Sequence, residues 1–490
     1  MGDIRFDFNN MMSYNVGSRD GVTVSDLKKS SKALAKAHDH LRRIIANPDS
    51  RVNIGLEWTQ LPFQDKRYTG QIQALGDDIA ARYRNVLFLG IGGSYLGLKA
   101  AQDALASPYY NEFISARRER PRVFFEGNNL DPSTISVLLK SLKPKETFVV
   151  VISKSGETTE TKAAFIVVEA WLKRALGKRY GRQIFAITDP ASGALRGKVS
   201  DGQKRDPLSF RSTSLIKGVG GRYSEFNMGL LHLAVIGVRI DDVLAGAAAM
   251  AKRCAKRPIY DNPAYMYAAL NTILCKKKRK SIAVMMPFSE TLKSTADWYA
   301  QLLAESLGKK YKRNIKAAHG RIEKWESDKS RIVNAGRTPV ATRGTNDLHS
   351  IHQNNVEGAN DKTVTFIRVE KFDTDIRLPG DEGFLSNKAY SKLLAVAGEA
   401  TAWSLVKERR PNCTIIMPEI TPYNWGGLIF FFEMATAFEG ELLDINAYDQ
   451  PGVESYKDYM YYKLRKGGIS EAIADTVKRH PLIKKKAFVI

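Results

Sequence analysis

TFVVVISKSGETTETKAAF, residues 147–165, reads as a strand that turns into a helix. Residues 148–152 form a short, continuous apolar run rich in β-branched side chains, the pattern of a strand buried on both faces. The run breaks at Ser153, Lys154, Ser155, Gly156, Glu157, Thr158 and Thr159, and a helical pattern follows. The first N–H groups of a helix have no partner within it, and the helix dipole is positive there. A glycine turn dressed with hydroxyls at that point is therefore an anion site. Capping would account for one hydroxyl. The four here, Ser153, Ser155, Thr158 and Thr159, predict a phosphate site.

The same alternation extends in both directions. Residues 86–89, RVFFE (122–126) and IFAITD (184–189) are further short apolar strands, with helices predicted over 71–84, up to residue 106 and from residue 131. SIAVMM, VTFIRV and CTIIM repeat the pattern downstream. Such runs separated by helices predict parallel sheets covered on both faces. The fold class is α/β, with two doubly wound domains over 50–245 and 262–450. A helical arm, 1–49, precedes them and a basic helical arm, 451–490, follows. Ligands of such sheets bind beyond the carboxyl ends of the strands.

Composition narrows the function classes. The 490 residues are 43% hydrophobic and 26% charged, the balance of a globular protein. Cys254, Cys275 and Cys413 are too few and too scattered for a disulfide framework or a Cys-type zinc site. No apolar run reaches membrane-spanning length, MGDIRFDFNN lacks a signal core, and Phe6 breaks the myristoylation pattern. A soluble cytoplasmic protein is expected. Lys and Arg number 75 against 52 Asp and Glu, a formal net charge of +23. The basic run 276–280 and the basic end with Lys478, Arg479 and Lys484 to Lys486 are not interleaved with aromatics, so no specific nucleic-acid interface is predicted. Steering of anionic small molecules is the expected consequence, and 276–280 reads as a solvated helix end.

Five further segments are candidates for the site. GIGGSYLG (90–97) has Tyr95 where a dinucleotide fingerprint needs glycine, Leu98 where a P-loop needs lysine, and Leu96 where a nucleophile elbow needs glycine. It remains a strand-to-helix turn carrying Ser94. KGVGGRYSEF (217–226) sets Arg222 after Gly220 and Gly221, where a rigid guanidinium can face an anion. An exposed loop arginine is the alternative. In WYAQLLAESLGK (298–309), Gln301 and Glu305 share one helix face with leucines nearby. A glutamate among leucines would be desolvated into a base for neutral pH, against the commoner solvated helix glutamate. GTNDLHS (344–350) presents His349. His352 nearby lacks the carboxylate spacing of a metal motif, so no metal site is predicted. DQPGVESYK (449–457) is by itself a polar turn leading to a helix.

Together GIGGSYLG, ISKSGETTET, VGGRYSEFN, QLLAESLGK, GTNDLHS and DQPGVESYK, in this order over about 85–460, resemble the phosphoglucose isomerase family. Gln450 and Lys457 keep that family's seven-residue separation. The resemblance implies two sugar-isomerase (SIS-type) domains, a homodimer, and interconversion of glucose 6-phosphate and fructose 6-phosphate through a cis-enediol. This is a step of glycolysis and gluconeogenesis that needs no metal or organic cofactor. It assigns the sugar phosphate to Ser94, Ser153, Lys154 (through its backbone), Ser155 and Thr158, with Gly221 and Gln301 as further substrate contacts. Glu305 becomes the base, Arg222 the cation facing the enediol, and His349 a residue presented from the neighbouring subunit. Gln450 and Lys457 contact the ring and its oxygen. Two departures stand out: SKSGET replaces the SKTFTT of animal-type sequences, as in the bacterial branch, and Asp347-Leu348 replaces Gly-Gln. A relative acting on another sugar phosphate, and a non-catalytic sensor that binds nucleic acid, are the competing readings.

Overall fold

The apolar runs become strands, in a computed structural model that describes residues 3–318 and 322–489. In chain order they are β1 (Arg5–Asp7), β2 (Asn85–Leu89), β3 (Arg122–Glu126), β4 (Thr147–Ile152), β5 (Ile184–Thr188) and β6 (Arg211–Ser214). There follow β7 (Ile282–Phe288), β8 (Lys309–Ala318), β9 (Ile322–Ala335), β10 (Thr338–Ala341), β11 (Lys362–Lys371) and β12 (Asn412–Glu419).

One sheet has the order β3-β2-β4-β5-β6, parallel throughout. Its centre is β2 beside β4, in register from Asn85 opposite Thr147 to Leu89 opposite Val151. Every residue of these two strands is buried, which is why their sequences run apolar without alternation. The helix Thr159–Leu176 lays Phe165, Val168 and Leu172 on Leu87, Leu89, Val149 and Val151. That three-and-four spacing is one helix face. Each such side chain fully buried contributes about 1.5–3 kcal/mol.

The second sheet has the order β1-β12-β11-β7-β10. Its core joins Val284, Met286 and Phe288 to Val364, Phe366 and Leu405. The N-terminal stretch supplies a strand as well as helices: β1 pairs antiparallel with β12, Arg5 opposite Ile416, and covers a sheet edge. Within the helical arm expected over 1–49, a helix forms as Val24–Ala46, closed by a capping box between Thr23 and Asp26. Strands β8 and β9 form a separate antiparallel hairpin.

The basic run 276–280 is not the solvated helix end that its sequence suggested. Lys280 is 1% exposed, and its ammonium donates to Asp20 Oδ1 at 2.8 Å and to Asn360 O at 2.6 Å. Lys277 pairs with Asp26 at 3.0 Å, and Lys278 donates to Ser18 O at 2.6 Å. The run ties the end of helix Pro263–Lys278 to the N-terminal stretch.

Both sheets lie in the compact unit Met1–Ala447; Tyr448–Ile490 is a second unit. The latter holds helices Glu454–Lys463 and Glu471–Arg479, the second capped by Ser470. Among the described residues no helix is long and apolar enough to cross a membrane.

Candidate active site

Because β2 and β4 are parallel neighbours, the glycine loop and the hydroxyl turn leave the same edge of the first sheet. In the turn, Ser153 is buried and its Oγ accepts from Gly156 N at 3.0 Å; Ser155 Oγ accepts from Glu157 N at 3.1 Å. Each hydroxyl keeps its own proton to donate. Thr158 is the N-cap residue of Thr159–Leu176, yet its side chain makes no capping bond. The first turn of that helix and the Thr158 hydroxyl are thus left for an anion. Lys154 and Ser155 are exposed, and the Lys154 carbonyl is fixed by Thr188 Oγ1 at 3.1 Å. Glu157, the acid within the turn expected to bind an anion, pairs with Lys162 at 2.9 Å.

The glycine loop packs directly on the Arg222 turn. A Cβ on Gly93 would stand 2.1 Å from the carbonyl carbon of Gly221, so only glycine fits. A Cβ on Gly92 would stand 3.0 Å from Gln301 Nε2. Ser94 closes the turn Gly92–Ser94, with Oγ 3.5 Å from Met228 Sδ.

Arg222 is buried, not a surface loop arginine. Its Nε donates to Ser306 Oγ at 2.8 Å, Nη1 to Glu305 Oε2 at 3.1 Å and Nη2 to Ala447 O at 2.7 Å. The Tyr223 hydroxyl shares Ser306 Oγ at 3.0 Å, and burial pushes that phenol up to about 12, so it stays protonated. The Tyr223 ring stacks on Trp58, 4.9 Å between centroids. Ser306, Tyr223 and Ala447 were not singled out from sequence. The available signal was adjacency, Ser306 following Glu305 and Tyr223 following Arg222.

Glu305 sits on helix Lys293–Leu307. The leucines do not surround it: Leu302, Leu303 and Leu307 line the buried face, while the Glu305 side chain is 27% exposed. Its carboxylate is held instead by two donors, Gln301 Nε2 to Oε1 at 2.9 Å and Arg222 Nη1 to Oε2. Lys309 donates to the carbonyls of Glu305 and Ser306, which closes the helix end. A carboxylate fixed by one amide and one guanidinium, and still open on one side, has the geometry a directed base beside a permanent cation requires.

His349 ends the turn Asn346–His349, beyond β10. It is exposed, and its ring makes no hydrogen bond or ion pair among the described residues. The departure at Asp347 has a local role: its Oδ2 accepts from Arg343 N at 2.7 Å and closes the loop. Leu348 packs on the second core. Within the unit Tyr448–Ile490, Gln450 precedes the turn Pro451–Val453, and Lys457 donates to Glu454 Oε1 at 2.8 Å. Burial pulls the Lys457 ammonium down, but Glu454 raises it above its ordinary value. Among the described residues no three His, Cys, Asp or Glu side chains are grouped to hold a metal.

Comparison with known proteins bears on the family and the fold. The model of the family described as phosphoglucose isomerase matches residues 63–467. The glucose-6-phosphate isomerase of Carboxydothermus hydrogenoformans is 37% identical over 430 residues, 86% of this chain and 88% of that protein. That of Acetivibrio thermocellus is 31% identical over 96% of this chain and 98% of its own length. Among solved structures, a hypothetical protein of Thermus thermophilus superposes with a TM-score of 0.78 at 29% identity, covering 94% of this chain and 99% of that one. A glucose-6-phosphate isomerase of Chlamydia trachomatis superposes at 0.70, with 22% identity over 86% and 81%, and shares the fold. This chain belongs to the phosphoglucose isomerase family.

Proposed function

We propose that this protein interconverts glucose 6-phosphate and fructose 6-phosphate. The observation that carries the reading is the Glu305 carboxylate, held between Gln301 and the buried Arg222 at the edge of a parallel sheet. Residues 50–245 and 262–450 act as two SIS-type halves, and the protein works in the cytoplasm. The phosphate rests on the turn from Ser153 to Thr158, through the backbone at Lys154, and on Ser94. Clamping the substrate there lets its binding energy orient the reacting carbons at the far end.

Ring opening needs a donor and an acceptor around the ring oxygen and the anomeric hydroxyl. Lys457 and a His349 presented by a second copy of the chain fill these roles, with Gln450 against the ring and Gly221 beside the sugar. The His349 ring, exposed and without a hydrogen bond or ion pair among the described residues, is what supports sharing across a homodimer. Glu305 then takes the proton from C2 of the open aldose while the C1 oxygen gains a proton to give the enediol; the same carboxyl returns its proton to C1 as the C2 hydroxyl gives up its own and becomes the ketone carbonyl. Charge developing on the enediol oxygen meets Arg222, a cation that cannot give up its proton.

The test is a coupled assay for conversion of fructose 6-phosphate with a chelator present, run beside mannose 6-phosphate. Turnover of the fructose ester that persists in chelator supports the reading. Turnover on the mannose ester alone overturns it.

A further inference from the structure

Helix Pro422–Leu443 buries three glutamates, and two of them have an arginine. Glu439 accepts both arms of Arg337 at 2.9 and 2.7 Å, and Glu441 both arms of Arg313 at 2.6 and 2.8 Å. The third, Glu433, is 0% exposed and faces another acid, Glu225, itself 3% exposed. Glu225 stands three residues after Arg222. Its Oε1 accepts from Trp298 Nε1 at 2.6 Å, on the helix that carries Glu305 two turns later. The same oxygen occupies the space above Gly97, where a Cβ would stand 2.6 Å away. That contact accounts for the last glycine of GIGGSYLG. Glu225 Oε2 and both Glu433 oxygens make no hydrogen bond of ordinary geometry among the described residues.

We infer that Glu225 and Glu433 are a positioning pair for the isomerase reaction: a proton held between them lets Glu225 tie the Arg222 turn to the Glu305 helix and to the helix after the glycine loop. The inference rests on the isomerase reading above. Two buried carboxylates with no cation between them cannot both ionise cheaply. Among the described residues, no ion pair or hydrogen bond joins Glu225 or Glu433 to a cationic side chain. The turn offers the Tyr223 phenol, helix Lys293–Leu307 the Trp298 indole, helix Pro422–Leu443 the Glu433 carboxyl, and helix Leu96–Leu105 the bare Gly97. The Arg222 guanidinium is turned to Ser306, Glu305 and Ala447. Burial pushes Glu225 up to about 7, and burial with Glu225 beside it raises Glu433 well above its ordinary value. The pair titrates as a unit, so the tie is intact below neutrality and strained above it.

The experiment is the pH profile of kcat and KM for fructose 6-phosphate from pH 5.5 to 9.5, in wild type, Glu225→Gln and Glu225→Leu. Glutamine keeps an oxygen for Trp298 but cannot ionise, so its alkaline fall in kcat should be shallower than in wild type, with activity at pH 6.5 nearly equal. Leucine removes the tie and should lower kcat roughly ten- to a hundredfold at every pH, the scale of a misplaced reacting group, with KM within about threefold. Melting curves at pH 5.5 and 9 separate folding from positioning: Glu225→Gln should melt above wild type at pH 9. An active wild type whose profile Glu225→Gln leaves unchanged overturns the pair, as does a folded Glu225→Leu with full kcat. A folded wild type without turnover at any pH overturns the isomerase reading and the inference with it.

Discussion

The turn proposed to hold phosphate and the Arg222 cluster proposed to face the enediol would solve the same problem, presenting donors to negative charge, in opposite ways. The turn is local. Ser153, Ser155 and Thr158 come from six consecutive residues between a strand and its helix, and their hydroxyls bond to N–H groups two or three residues away or to none. The Arg222 cluster is assembled from a distance. Ser306 and Glu305 are 84 and 83 residues along the chain, and Ala447 is 225. The turn is half open to water, whereas Arg222 is buried. Binding a phosphate that arrives with its charge tolerates solvent. Stabilising charge that exists only along the reaction path needs donors already fixed and desolvated.

The widest separation between the two regions is expected from Glu305→Gln. It should lower kcat on the order of a thousandfold, within the range for loss of a positioned base, while KM moves little. Steady-state kinetics with titration of a competitive sugar-phosphate analogue check it, and near-normal turnover would remove Glu305 from the mechanism. Gly93→Ala attacks the seam where the glycine loop meets the Arg222 turn. Displacing that turn by the 1 Å or so that a methyl demands should cost about a hundredfold in kcat, with a lowered melting temperature. Wild-type kinetics would mean the loop absorbs the clash without moving Arg222.

Ser155→Ala combined with Thr158→Ala should act on the other region alone. Hydrogen bonds to a charged group are worth about 1.5–3 kcal/mol each, so KM should rise tenfold or more with kcat within about threefold. An unchanged KM would count against the clamp. The smallest effect is expected far from both regions, at His40. Its Nδ1 bonds Glu441 at 2.7 Å and its Nε2 bonds Glu323 at 3.1 Å. Burial pulls this imidazole down, but the two carboxylates raise it above 6.5. The contribution is then fully present below pH 6.5 and lost as pH rises through the raised value. His40→Gln should destabilise the protein by about 1 kcal/mol at pH 6 and by less at pH 9, with kcat unchanged. Equal losses at both pH values would show that the pair is not ionised.

Much of the fold could be read directly because parallel strands buried on both faces have nothing polar to interrupt them. β2, β4, β5, β7 and β11 were legible for that reason. β1, β6 and β10 were not: they are three or four residues long and take their identity from the edges they pair with. The motifs proposed to carry the chemistry were equally visible, since a hydroxyl-rich turn, a Gly-Gly-Arg and a Gln-x-x-x-Glu are contiguous letters. Their environment was not. The leucines around Glu305 suggested desolvation, yet they point to the other side of the helix, and the carboxylate is oriented by Gln301 and Arg222. Lys280 sat in a basic run and proved to be a buried anchor for Asp20 and Asn360.

By itself the sequence determined the class of sheet and the family of the chain, and it located the hydroxyl-rich turn proposed to hold phosphate, because short-range periodicity and turn chemistry are properties of neighbours in the chain. Which charge is neutralised by which partner was decided only in three dimensions. Glu305 finds Arg222, Glu439 finds Arg337, and Glu225 finds the Trp298 indole and another acid. The free energy of a buried charge depends on what lies within a few ångströms across the fold, and no local pattern of residues encodes that distance.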